Sequence, residues 1–182
     1  FDNIVIVGGM ANNIINYKGN QIGKSVKEEN CEKIIEQIFE TSKQHSCSII
    51  YPVDVLVGKN LNSISKVKAL NEIDNDDLIL DIGPKTIDTI KKIIENSETV
   101  LWNGPAGYYE NPNFANGSYE IAKAIIKKNK KKSIYSVIGG GDTIALINGI
   151  KAIRDFNFVS TAGGAFLEYL EGKDLPGIKA LS

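Results

Sequence analysis

Two glycine-rich segments carry the strongest chemical signal in the sequence. Residues 139–143 (GGGDT) follow an apolar run at residues 133–138, and residues 161–164 (TAGG) follow another at residues 156–160. Glycines lack a Cβ and let a phosphate approach the backbone, and a helix that starts there offers free N–H groups and partial positive charge. The pattern predicts two phosphate-binding turns, which parallel strands would bring side by side at the carboxyl edge of a sheet.

Asp142, inside the first of these segments, has two interpretations. Its carboxylate can hold the metal ion that accompanies a nucleotide, or it can cap the helix that follows. Thr143 adds a hydroxyl at the same place. A tight strand-to-helix turn capped by aspartate is therefore the alternative to phosphate binding.

Two further segments have the residue types for contact with a nucleoside. The sequence Asn103-Gly104-Pro105 forces a sharp turn, beyond which Glu110 can accept hydrogen bonds from ribose hydroxyls. Gly8 and Gly9 close the apolar run at residues 4–7 and let a flat base lie against the backbone. For Glu110 the alternative is an exposed acid in a turn. The glycine pair does not match G-x-G-x-x-G, so a dinucleotide-binding fingerprint is not supported.

Other residues that can do chemistry do not form a recognisable site. Residues 19–25 (GNQIGKS) are similar to a P-loop, but the spacing is one residue short and no clear buried strand precedes them. His45 lies among polar residues at a helix end, and Cys31 and Cys47 are expected to be buried thiols. This inventory is too thin for a structural zinc site, and free thiols are typical of a reducing, cytoplasmic compartment.

The elements that must position these residues alternate along the chain. Short, continuously apolar runs predict strands covered on both faces, at residues 4–7, 48–53, 78–82, 99–102, 133–138 and 156–160. Helical apolar spacing lies between them, at residues 28–44, 86–96, 119–128, 143–154 and 165–170. The alternation predicts an α/β fold with a Rossmann-like parallel sheet of about six strands and helices on both faces. Residues 59–76 are expected to be an irregular excursion, and the lysine-rich residues 127–132 a solvated helix end.

The composition limits the classes of partner. The 182 residues include 42% apolar residues, enough for a buried core in one domain or two very small ones. The 21 basic and 22 acidic residues nearly cancel, which argues against nucleic acid as a partner. No run of about 18 apolar residues is present for a membrane span. Arg154 is the single arginine, so backbone N–H groups, helix N-termini, lysines or a metal must bind any phosphate.

Taken together, these segments closely resemble the C-terminal, nucleotide-binding domain of the phosphoglycerate kinase family. The similar motifs occur in family order over essentially the whole chain: GGMA (8–11), IGKS (22–25), PVDV (52–55), LDIGPKT (80–86), WNGPAGYYE (102–110), GGGDT (139–143), STAGGA (160–165) and LEGKDLPG (170–177). The sequence departs from the family pattern at Val7, Ile79 and Ala162, where glycines are usual. Ile79 is the departure expected to narrow the pocket for the base.

The resemblance implies binding of Mg²⁺ with ADP or ATP as substrate, and it assigns roles by position. It implies contacts to adenosine from Gly8, Gly9, Leu80, Pro105 and Glu110, the last through the ribose. It implies contacts to the phosphates from Asn103, Gly140, Gly141 and Thr143, with Asp142 as the Mg²⁺ ligand. Gly163 and Gly164 would present a second helix N-terminus to the transferring group and so act in catalysis.

The resemblance also implies a reaction that this sequence cannot complete. Family members reversibly transfer a phosphoryl group between 1,3-bisphosphoglycerate and ADP, giving 3-phosphoglycerate and ATP in glycolysis and gluconeogenesis. The phosphoglycerate is bound by an N-terminal domain absent here, and the start at Phe1 is interpreted as a cut from a longer chain. Residues 1–182 are therefore expected to be one monomeric domain, inactive alone. The alternatives are a free-standing nucleotide-binding module and an unrelated Rossmann-like transferase or dehydrogenase.

Overall fold

Residues 1–180 are described by a computed structural model in which strands and helices alternate. Within them the strands are β1 (Asn3–Val5), β2 (Ser48–Ile50), β3 (Asp54–Gly58), β4 (Lys66–Ala69), β5 (Leu78–Ile82), β6 (Thr99–Asn103), β7 (Tyr135–Gly139) and β8 (Phe158–Val159). The α-helices are α1 (Gly8–Tyr17), α2 (Glu32–Gln44), α3 (Pro84–Asn96), α4 (Asn116–Lys130), α5 (Gly141–Gly149), α6 (Gly164–Leu170) and α7 (Pro176–Lys179). The predicted α/β class is confirmed.

The strands form three small sheets, so the prediction of one parallel sheet of about six strands is wrong in its count. β1 pairs with β2 in parallel, and β6, β7 and β8 form a parallel sheet in that order. β3 lies between β4 and β5 and is antiparallel to both. A continuously apolar run indicates burial on both faces, but it does not fix the direction in which a strand pairs.

Residues 59–76 were expected to be irregular, but they contain regular secondary structure. It holds β4 and a 3-10 helix at Leu70–Glu72. Lys68, although charged, is buried in β4, where its Nζ lies 2.6 Å from carboxylate oxygens of Asp74 and Asp77. Burial of a lysine is tolerated when its ammonium is paired and hydrogen-bonded. A pattern of apolar residues therefore could not reveal this strand.

Helix α1 is a further difference, because the sequence pattern predicts that Gly8 and Gly9 end a strand. They are instead the first two residues of α1. The helix buries Ala11, Ile14 and Ile15, which lie at helical spacing. Ala11 and Ile15 pack with Ile22, Val55, Val57 and Ile73 in one apolar cluster. This tertiary packing outweighs the low helix propensity of the asparagines around it.

β3, the central strand of the antiparallel sheet, was not among the predicted strands, and the other differences are local. Residues 28–31 precede α2, and α5 ends at Gly149 before a separate 3-10 helix at Ile153–Asp155. Cys31 and Cys47 are free thiols, but they are half-buried instead of buried. His45 is exposed at the end of α2, as predicted. Among residues 1–180, none of the helices has the length and apolar character that a bilayer crossing requires.

The chain divides into two compact units. The first unit comprises Phe1–Asn96 and Pro105–Ile121, and it contains β1 to β5. The second unit comprises Ser97–Gly104 and the chain from Ala122 onward, and it contains β6 to β8. Ile125, Ile138 and Ile147 are fully buried in the second unit.

Candidate functional site

The parallel sheet of the second unit brings the two glycine-rich turns to one edge. β7 pairs with β6 on one side and with β8 on the other, and all three strands are parallel. α5 begins directly after β7, and Gly163 precedes α6 after β8. Parallel strands end at the same edge, which is where open α/β sheets bind their ligands. The second unit therefore contains two neighbouring strand-to-helix turns at the carboxyl edge of one sheet.

Asn103, the last residue of β6, lies against the first of these turns. It is the register partner of Gly139 across the sheet. A Cβ on Gly140 would stand 2.7 Å from Asn103 Oδ1, and one on Gly139 would stand 3.4 Å from it. Gly140 also has φ +84°, in the region that favours glycine. Glycine at position 140 is thus required by both backbone conformation and the close approach of the Asn103 amide.

The second turn is joined to the first through Phe166 of α6. A Cβ on Gly139 would stand 3.0 Å from Cδ1 of the Phe166 ring. The ring therefore packs directly on the backbone at the end of β7. Gly163 has φ +58°, and a Cβ on Gly163 or Gly164 would meet no atom within 4 Å. The backbone of the second turn is consequently open to a ligand.

Thr143 has a partner within the protein. It is fully buried, and its Oγ1 accepts a hydrogen bond from the N–H of Gly104 at 2.7 Å. The indole Nε1 of Trp102 donates to the carbonyl oxygen of Gly104, also at 2.7 Å. Together these bonds hold the turn after β6, and with it Asn103, against the start of α5. The structure therefore gives the Thr143 side chain a positioning contact.

Asp142 is exposed in the first turn of α5, and it does not cap the helix. The N-cap residue is Gly140, and it makes no side-chain cap bond. The alternative interpretation of this segment, a turn capped by aspartate, is therefore wrong. A free carboxylate beside the open Gly141 suits Mg²⁺, which proteins hold with one or two carboxylates while phosphates and water fill the other positions. The donor set thus fits this ion in the presence of a nucleotide.

The residues predicted to contact adenosine lie in the first unit. Gly8 has φ +62°, and a Cβ there would stand 3.4 Å from the carbonyl oxygen of Pro105. The structure thus brings Gly8 and Pro105 together, and it leaves the backbone of Gly9 exposed and open. Leu80 is buried in β5, and its carbonyl oxygen accepts a hydrogen bond from Tyr108 N–H at 2.7 Å. Glu110 is exposed, two residues beyond Tyr108.

The three departures from the family pattern have distinct surroundings. Val7 is the N-cap residue of α1, with extended backbone. Ile79 packs against the apolar cluster beneath α1, and its N–H donates to Ser25 Oγ at 2.8 Å. Ala162 is exposed. The side chain of Ile79 thus has a defined place in the core of the first unit.

Sequence reasoning missed Asp81, a buried carboxyl beside these residues. Asp81 is 2% exposed and follows Leu80 in β5. Burial raises the pKa of Asp81 to about 7, although hydrogen bonds from Gly117 N–H and Ile82 N–H act in the opposite direction. Its position inside the LDIGPKT motif is the one signal in the sequence that could have marked it. Ser118, which accepts a hydrogen bond from Ala106 N–H at 2.8 Å, carried no such signal.

A comparison with protein families identifies the chain. The family model described as Phosphoglycerate kinase matches residues 1–173. The chain belongs to the phosphoglycerate kinase family. The phosphoglycerate kinase of Azorhizobium caulinodans is 43% identical over 182 residues, which cover 99% of this chain and 46% of that protein.

Solved phosphoglycerate kinase structures have the same fold. The phosphoglycerate kinase from Coxiella burnetii superposes with a TM-score of 0.91 at 37% identity, covering 100% of this chain and 46% of that one. The phosphoglycerate kinase from Pyrococcus horikoshii OT3 gives a TM-score of 0.73 at 28% identity, covering 99% of this chain and 45% of that one. The chain therefore spans less than half the length of the phosphoglycerate kinases that it matches.

Proposed function

We propose that this chain is the nucleotide-binding half of a phosphoglycerate kinase. Together with the other half it would transfer a phosphoryl group between 1,3-bisphosphoglycerate and ADP, giving 3-phosphoglycerate and ATP. The observation that supports this most is the sheet edge of the second unit, where Asn103 lies over the glycine turn before α5 and the turn before α6 adjoins it. The reaction is inferred from membership of the phosphoglycerate kinase family.

The proposed nucleotide contacts follow the positions that the family resemblance assigns. In the first unit, Gly8, Gly9, Leu80 and Pro105 would contact adenosine, and Glu110 would accept hydrogen bonds from the ribose. In the second unit, the phosphates would meet Asn103 and the backbone N–H groups from Gly140 to Thr143. The open backbone of Gly163 and Gly164 would face the transferring group.

Catalysis in this half would consist of positioning and electrostatic stabilisation. Phosphoryl transfer needs little covalent chemistry from the protein, because the transferring group carries its charge on equatorial oxygens. Free N–H groups at a helix start stabilise such charge and are already oriented before the reaction. Asp142 would hold Mg²⁺, which would supply positive charge to neutralise the phosphates. Thr143 and Trp102 fix the turn that carries Asn103.

The acyl-phosphate substrate would be bound by the other half of the protein. Arg154 is the single arginine in this chain, and it lies in the 3-10 helix between α5 and β8. Recognition of a bisphosphorylated substrate needs several cations, and arginine is the residue best suited to this task. We therefore propose that the chain binds nucleotide as a monomer in the cytoplasm but does not turn over by itself.

Calorimetry and a coupled activity assay test this proposal on the chain as given. We expect ADP binding that strengthens with Mg²⁺, and no ATP formation from 1,3-bisphosphoglycerate. Glu110→Gln should weaken ADP binding without altering pyrophosphate binding, and the exposed Glu98→Gln is a matched control. Failure to bind ADP would refute the nucleotide site. Measurable turnover by this chain alone would refute the proposal that the acyl-phosphate site lies in the other half of the protein.

A nucleotide-binding module without catalysis is the second candidate. The single arginine fits this candidate as well as the kinase half, because one such residue cannot complete an acyl-phosphate site. The residues that precede Phe1 in the reading frame distinguish the two candidates. A basic domain with arginines and histidines there supports the kinase, whereas its absence supports the module.

A further inference from the structure

We infer that Asp81 is a positioning residue for the nucleoside side of the site. Its buried carboxyl group holds the segment from Pro105 to Gly117, which carries Pro105 and Glu110. The inference rests on the proposed function, because that proposal assigns these two residues to the nucleoside. It adds a residue that makes no contact with the ligand and acts through the backbone.

The Asp81 carboxyl group joins β5 to the start of α4 within the first unit. One oxygen, Oδ1, accepts a hydrogen bond from Ile82 N–H in the same strand at 2.8 Å. The other, Oδ2, accepts from Gly117 N–H at 2.8 Å, across 36 residues of sequence. Gly117 is the second residue of α4, so its N–H is one of those that a helix leaves unpaired. Asp81 in β5 thus provides a hydrogen-bond acceptor for an unpaired N–H at the start of α4.

At two positions of the segment only glycine fits, because Asp81 lies beside them. A Cβ on Gly117 would stand 2.3 Å from Asp81 Oδ1, and one on Gly107 would stand 2.5 Å from the same atom. A Cβ on Gly107 would also stand 2.5 Å from the carbonyl oxygen of Leu80. The backbone on both sides of Glu110 therefore packs directly on the end of β5.

Further hydrogen bonds hold the segment from Pro105 to Gly117 against β5. Tyr108 N–H donates to the Leu80 carbonyl oxygen at 2.7 Å, and Ala106 N–H donates to Ser118 Oγ at 2.8 Å. Ser118 is fully buried next to Gly117. Displacement of Gly117 from Asp81 would therefore move Ser118 and loosen Ala106, which adjoins Pro105. Loss of the Asp81 contact is thus transmitted along the segment to the nucleoside contacts.

Asp54 is a matched control within the same unit. It is also buried, at 3% exposed, and its carboxyl oxygens accept hydrogen bonds from Lys85 N–H at 3.0 Å and Thr86 N–H at 2.8 Å. These are the second and third residues of α3. Asp54 and Asp81 therefore do the same structural work at two helix starts, but only Asp81 contacts the segment that carries Glu110.

Asp81→Asn and Asp54→Asn, compared by calorimetry with ADP and with pyrophosphate, test the inference. The asparagine amide can keep one of the two N–H bonds of Asp81 but not both. We expect Asp81→Asn to weaken ADP binding about tenfold and pyrophosphate binding less than about twofold. Asp54→Asn should leave both affinities unchanged. A cycle with Glu110→Gln should show less than additive losses for ADP.

Gly117→Ala provides a second variant with the carboxyl group intact. Its new Cβ pushes the start of α4 away from Asp81, although alanine is the better helix former. We expect the same selective loss for ADP, with Gly149→Ala as the control because a Cβ there meets no atom within 4 Å. Amide exchange at Ala106, Tyr108 and Gly117 should rise in both test variants, with or without nucleotide.

The outcomes separate this inference from the proposed function. Equal loss for ADP and pyrophosphate, or unchanged amide exchange in the segment, would overturn the positioning role while ADP binding by the unmodified chain stood. An unmodified chain that did not bind ADP would overturn the proposed function and the nucleoside role of Asp81 with it.

Discussion

Thr143 Oγ1 accepts the N–H of Gly104 at 2.7 Å, although 39 residues separate the two in sequence. The bond links the first turn of α5 to the turn after β6. It explains why a hydroxyl at the start of this helix is buried. The geometry of the turn before α5, which we propose binds phosphate, thus depends on the buried side chain of Thr143.

Thr143→Val should destabilise the chain while preserving the shape of the side chain. The Gly104 N–H would lose its acceptor, at a cost of about 1–3 kcal/mol in the free energy of unfolding. Urea denaturation followed by circular dichroism measures this cost. Thr143→Ser keeps the hydroxyl and should retain most of the stability, so an equal loss in both variants would show that the methyl group contributes as much as the hydroxyl.

Alanine at Gly140 and at Gly141 should have opposite effects on stability. Gly140→Ala is strained by φ +84° and by the Asn103 amide 2.7 Å from the new Cβ, so about 1–3 kcal/mol should be lost. Gly141→Ala meets no atom and should stabilise α5 by up to about 1 kcal/mol. Both should weaken ADP binding, because Gly141 lies where phosphate is proposed to approach. Unimpaired binding in Gly141→Ala would place the phosphate elsewhere.

Asp142→Ala should separate metal binding from helix capping. The side chain is exposed and makes no cap bond, so the free energy of unfolding should change by less than about 1 kcal/mol. ADP binding in the presence of Mg²⁺ should weaken by about tenfold or more, and metal-free binding far less. Calorimetry with and without Mg²⁺ measures both, with the exposed Glu168→Ala as the control. Equal losses with and without Mg²⁺ would remove Asp142 from the metal site.

Stability should fall as the pH rises from about 4 to 7, because of Asp81. Burial raises the pKa of Asp81 from 3.8 to about 7 in the folded chain. The folded chain therefore holds a proton that the unfolded chain has released in this window, and unfolding becomes easier with increasing pH. The effect is on the order of a few kcal/mol. Urea midpoints at pH 5 and pH 8 measure it.

The control for this pH dependence is Asp81→Asn, which cannot ionise. The gap between the two urea midpoints should shrink in the variant. The pKa values of Asp76 and Asp77 are lowered, so their contributions change below this window. A gap of the same size in the variant would assign the titration to another group.

Asp77→Asn should be strongly destabilising. Burial opposes ionisation of Asp77, but hydrogen bonds from Lys59, Lys68 and Asp74 N–H outweigh it and lower the pKa of Asp77 to about 2. Its contribution to stability is thus present above about pH 4 and is lost as the pH falls toward 2. Asp74 still pairs with buried Lys68 in the variant, so removal of the Asp77 charge should cost about 2–3 kcal/mol at pH 7.

The matched control is Asp76→Asn. The Asp76 side chain is exposed and pairs with Lys59, so its loss should cost much less than the loss of Asp77. Chemical denaturation of both variants gives the comparison. Similar small costs would mean that the buried cluster of Lys68 and Asp77 contributes little to the fold.

The sequence alone was sufficient for features that depend on nearby residues. Glycine turns after apolar runs, the Asn103-Gly104-Pro105 turn and the helices at α3, α4 and α6 follow from residue type and spacing. Family membership followed from motifs in order. Short-range sterics and periodicity determine such features, because the atoms involved are neighbours along the chain.

Partnerships between distant residues were decided only by the tertiary structure. The antiparallel pairing of β3 and β5, the acceptor role of Thr143 toward Gly104 and the hold of Asp81 on Gly117 each join segments far apart in sequence. Asp142 has the residue type of both a cap and a metal ligand, and the backbone at Gly140 excluded the cap. Pairing direction, burial and hydrogen-bond partners depend on which surfaces meet after folding, and a local sequence pattern does not determine this.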